Sequence, residues 1–105
     1  MIFIVVKFPV KPECADGFLD EVRPFTEATR AEPGNKWFEW SRSVDDPNQL
    51  VLVEAFDDDA AEAHVGSKHF QQAMETIRPL LTRTPQIISR RVEGDDWDLM
   101  GELQV

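Results

Sequence analysis

Between Leu50 and Phe70 the chain gathers side chains whose types suit proton chemistry: one carboxylate, Glu54, set among Val51, Leu52, Val53, Ala55 and Phe56, followed by the only two histidines, His64 and His69. A carboxylate on the covered side of such an apolar strand loses hydration. Its pKa then rises unless Arg42, Arg90 or Arg91 pairs with it. Raised, Glu54 is a candidate base; paired, it is a structural ion pair at the sheet edge or a subunit seam. His64 is a candidate general acid or base because an imidazole titrates near neutral pH, although a histidine on a helix also serves as a hydrogen-bonded packing residue. His69 follows Lys68 at a helix start, where the positive dipole end disfavours an imidazolium, and is a candidate for substrate contact. The two histidines lack a third ligand at a metal-site spacing, so no metal is expected.

Neighbouring residues complete a candidate pocket. Phe56, Phe70 and Trp40 offer aromatic walls or ordinary core, which periodicity does not separate. Ser67 lies between the histidines and counts among the substrate-binding candidates, while its type and position also suit a helix N-cap. No Ser-His-acid pattern surrounds it, and no Gly-rich phosphate loop occurs, since Gly34, Gly66, Gly94 and Gly101 are scattered.

The elements that must position these residues follow from periodicity and turn chemistry. Ile2 to Val10 is β-branched and aromatic on both alternating faces, as expected of a strand needing cover on each side. Asp16 can cap a helix carrying Phe18, Val22, Phe25 and Thr29 up to Pro33-Gly34, with Pro24 either kinking it or marking a later start. Lys36 to Val44 and Leu50 to Phe56 form a hairpin through Asp45-Asp46-Pro47-Asn48. Asp57 or Asp58 caps a short helix ending near Gly66. Ser67 opens another with Phe70, Met74, Ile77 and Leu81 along one face, and Gln86 to Val92 is the last strand. Trp37 and Trp40 fall on opposite faces of their strand, one toward the helices.

The order strand, helix, strand, strand, helix, strand predicts an α+β, ferredoxin-like split βαβ fold with an antiparallel sheet covered by helices on one face. One domain spans 1–105. The apolar second face asks for a partner, and a second copy stacked sheet to sheet is the simplest, giving a homodimer. The segment 97–105, apolar at Leu99, Leu103 and Val105, can contact that partner.

The formal charge of −9, from 20 acidic and 11 basic residues, argues against nucleic acid or anionic lipid as partner. The stretch from Ser43 to Glu62 has no Lys or Arg and reads as a solvated acidic rim. The lone Cys14 forms no internal disulfide and has no cationic sequence neighbour to activate it, in keeping with a cytoplasmic location. Ile2 to Val6 is too short to span a membrane.

Val10-Lys11-Pro12-Glu13, Ala28 to Gly34, Asp46-Pro47-Asn48, Glu54-Ala55-Phe56 and Ala63 to Phe70 together resemble the antibiotic biosynthesis monooxygenase family. That resemblance implies a dimeric α+β barrel. The family includes cofactor-free quinol or anthrone oxygenases, an isomerase of a phosphorylated autoinducer and haem-degrading relatives. The helix position at which the haem-degrading relatives carry their iron-ligating His is Met74 here, with His64 where they have Trp, which argues against haem. Phe56 replaces the Trp of a common Glu-x-Trp pattern and loses its indole donor. The function implied is a monooxygenase that oxidises a small electron-rich, quinone-like aromatic with oxygen and needs no cofactor. The alternatives are an isomerase working by proton transfer and a domain that only binds a small ligand.

Overall fold

In a computed structural model describing all 105 residues, alternation sorts the strand side chains onto two unlike faces. The strands β1 (Ile2–Pro9), β2 (Asn35–Arg42), β3 (Gln49–Phe56) and β4 (Gln86–Arg91) form one antiparallel sheet in the order β2-β3-β1-β4. Register places Phe38, Glu54, Ile4 and Ser89 in one row across the sheet, and Trp40, Leu52, Val6 and Ile87 in the next. Both rows face the helices. The ferredoxin-like α+β expectation is met.

The helices pack on that face and close the core. Phe18, Val22 and Phe25 from the first helical segment and Ala73 and Ile77 from the second bury against Val6, Phe8, Phe38, Leu50 and Leu52. The first segment is divided into α1 (Pro12–Ala15), α2 (Phe18–Glu21) and α3 (Arg23–Arg30). Pro24 stands in the first turn of α3, where its missing N–H costs nothing, so it starts a helix instead of kinking one. Asp16 is the C-cap of α1 and not the N-cap expected of it; Gly17 precedes α2 without a side-chain cap. The second segment comprises α4 (Ala60–Val65) and α5 (Lys68–Ile77). Asp59 occupies the cap position of α4, while Asp57 and Asp58 are drawn off to Lys36 and Arg91. Leu81 lies past the helical turn Arg78–Leu80 and bridges to Val10. No helix is long and apolar enough to cross a membrane.

The opposite face is apolar at its centre, where Val53, Val5 and Ile88 share a row, and Ile88 is 62% exposed. Trp37 lies on this side, as Trp40 lies on the other. The indole of Trp97 folds back against Trp37 and Phe3, with centroids 4.9 and 6.3 Å away. Beyond it Leu99 and Leu103 remain exposed.

Candidate active site

Glu54 sits in mid-sheet between Phe38 and Ile4, only 5% exposed. None of the three expected arginines reaches it: Arg42 donates to Pro47 and Ala15 carbonyls, Arg90 to its neighbour Ser89, and Arg91 to Asp58. Burial raises its pKa from 4.5 to about 7, and the negative charge of Glu32 adds to the rise. Pairing with these arginines therefore gives way to a buried carboxyl poised near neutrality, with His64 as its neighbour.

His64 faces it from α4, with Nε2 3.8 Å from Glu54 Oε1. The imidazole is held in an aromatic cage: stacked on Phe25 at 5.8 Å, tilted against Phe56 at 4.6 Å and edge-on to Phe70 at 5.2 Å. Its other nitrogen, Nδ1, lies 2.9 Å from Glu32 Oε2, and the same oxygen bonds Nε2 of His69. Glu54, His64, Glu32 and His69 thus form one continuous chain of titratable groups.

Local structure fixes this chain. Gly34 lets the α3–β2 turn press against α4, because a Cβ there would sit 2.2 Å from that of Ala60. Gly34 also accepts the Asp57 N–H, so the turn carrying Glu32 is tied to the segment entering α4. Ser67 Oγ accepts from Phe70 N–H and donates to His64 C=O at 2.6 Å, locking the end of α4 to the start of α5.

A cavity of about 310 Å³ opens between the sheet and α4 and α5, walled by Ile4, Val6, Phe8, Leu52, Phe70 and Met74, with Glu54 and His64 as its titratable side chains. Of the residues singled out from the sequence, Glu54, His64 and Phe70 meet there. Phe56 is fully buried behind His64. Ser67 is spent on its cap. Trp40 is core, packed on Phe8, Phe18 and Phe38 with its indole N–H donated to Thr26. His69 turns to a separate groove between α3 and α5. Glu32 was not singled out by type, because it stands 32 positions from His64 in a helix-ending Glu-Pro-Gly turn; the available signal was the close packing that Gly34 permits.

A sequence profile of the antibiotic biosynthesis monooxygenase family matches residues 1–76, a span that holds every residue of this chain of groups. The chain belongs to that family. Among its relatives is "Putative monooxygenase YcnE" of Bacillus subtilis (strain 168), 30% identical over 89 residues, which cover 84% of this chain and 94% of the relative. The solved structure described as "Putative antibiotic biosynthesis monooxygenase from Nitrosomonas europaea" superposes with a TM-score of 0.81 at 26% identity, covering 90% of this chain and all of that one. A Deinococcus radiodurans structure of like description shares the fold, with a TM-score of 0.83 at 20% identity over 96% of this chain and 100% of its own. The tail carrying Trp97 lies outside the family match.

Proposed function

We propose that this family member is a cofactor-independent monooxygenase that oxidises a small electron-rich aromatic, of the quinol or anthrone type, with molecular oxygen. The observation that carries the reading is the buried Glu54 carboxyl, beside His64, on the wall of an otherwise apolar cavity. Such a cavity excludes water and strengthens the hold on a substrate anion. Glu54 takes a proton from the substrate, and the resulting anion attacks oxygen through carbon to give a peroxide. Protonation of that peroxide, by Glu54 or by His64, lets it lose water and leave a new C=O group. One oxygen atom enters the product, the other leaves as water, and the substrate supplies all four electrons that the oxygen molecule takes up.

The test is oxygen uptake by the metal-free protein with a panel of quinols and anthrones under ¹⁸O₂. One labelled atom should enter the product, and Glu54→Gln should slow turnover by about 10²–10⁴-fold, the usual worth of a positioned base. Turnover unchanged in Glu54→Gln, or none across the panel, contradicts the reading. The pairing of two proton carriers 3.8 Å apart favours a second reading, isomerisation by proton transfer. That reaction would exchange substrate hydrogen with D₂O and consume no oxygen.

The working unit we propose is a homodimer stacked on the open face of the sheet. Val5, Val53 and Ile88 form its apolar centre, and Ile88 is 62% exposed in the single chain. A second copy supplies cover for this patch.

A further inference from the structure

We infer that Glu32, His64 and His69 form a binding site for one divalent ion of the zinc class. One ligand atom from each lies within 4.8 Å of the others, with Oε2 of Glu32 against both Nδ1 of His64 and Nε2 of His69, and the three come from the α3–β2 turn, α4 and α5. Two imidazoles and one carboxylate are the donor set of many open zinc sites, with a fourth position left for water. With a single carboxylate, the set is poor in the oxygen ligands that calcium or magnesium prefers, and it has no thiolate of the kind that suits copper(I).

Charge supplies an independent reason. Neither Glu32 nor Glu54 is paired with a Lys or Arg; the ion-pair partners of Glu32 are His64 and His69, and that of Glu54 is His64. Glu32, 17% exposed at its side chain and without a fixed cation, is a carboxylate whose charge a bound divalent ion would balance. The surroundings also match. A ligating histidine generally presents its second ring N–H to a carboxylate, and with Nδ1 on the ion, His64 would turn Nε2–H toward Glu54. His69 is 27% exposed at its side chain and lines the groove between α3 and α5, which gives an ion a way in.

The inference goes beyond the oxygenase reading. The ion would use Nδ1 of His64, whereas the proposed chemistry uses Glu54 and the cavity side of the ring, and metal binding is read without any substrate. Protein stripped with a chelator and titrated with Co²⁺ should take up one ion per chain, develop the visible absorption of a four- or five-coordinate nitrogen and oxygen site, and lose it to Zn²⁺. Glu32→Gln and His69→Ala should each weaken binding at least tenfold. Because a variant can misfold, the wild-type Co²⁺ form is also examined by NMR, where two paramagnetically shifted imidazole N–H signals are expected. Uptake well below one ion per chain, affinity indifferent to both substitutions in folded protein, or absence of the shifted imidazole signals would overturn the site.

Discussion

Glu54 shows how a single position can hold a functional group at the expense of stability. In the metal-free chain its carboxyl titrates at about 7, against 4.5 for the unburied group, with burial as the larger cause and the Glu32 charge as the smaller. Between those pH values the folded state holds a proton that the unfolded state has released. The stability linked to that proton is therefore complete below pH 4.5 and is lost as pH rises through 7, a swing of about 3 kcal/mol at 1.36 kcal/mol per pKa unit. Urea denaturation of the metal-free protein should show wild type losing stability from pH 5 to pH 8, with Glu54→Gln largely spared that loss. Parallel behaviour of the two proteins would mean that Glu54 is not desolvated. The sequence made Glu54 legible because a lone carboxylate interrupts an apolar strand. Glu32 was not legible in the same way: its partners are set by the packing of a turn against α4, and no local pattern reports that.

The elements owe their mutual placement to small residues at their junctions. Gly34→Ala puts a methyl group 2.2 Å from the Ala60 Cβ, so the turn must shift away from α4. A cost of about 1–3 kcal/mol is expected from overpacking, read as a lower melting temperature. The hydrogen bond that His64 Nδ1 donates to Glu32 should loosen with it, visible as a changed His64 ring signal by NMR. Ser67→Ala removes the cap of α5 and the link to the His64 carbonyl; about 1 kcal/mol is expected, or a melting temperature about 4–8 °C lower. The order of strands and helices could be read from periodicity. The later start at Pro24 was one of the two readings that its sequence position allowed, whereas the diversion of Asp57 and Asp58 to Lys36 and Arg91 depended on tertiary partners.

At the scale of the whole molecule, the sheet divides the chain's work. Its helix side carries the cavity and the titratable chain, and its open side carries Val5, Val53, Ile88 and the Trp37–Trp97 pair. Both faces were evident in the strand pattern, but the return of Trp97 onto its own sheet was not, because the tail has no periodicity to fix its direction. If the proposed dimer forms through the open face, a charge placed at its centre, as in Val53→Asp, should shift it toward monomers in analytical ultracentrifugation, raising the dissociation constant by about 100-fold or more through a buried unpaired charge. A sedimentation profile unchanged from wild type would place the subunit contact elsewhere.

The central claim is that the cavity turns an aromatic substrate into an oxygen-reactive anion at Glu54. It is tested most directly by mixing the metal-free protein with an anthrone in the absence of oxygen and recording the absorption of the bound anion. Expected is an anion band with the wild type that is missing in Glu54→Gln and discharges when oxygen is admitted. No band with wild type, or an equal band in both proteins, would contradict it.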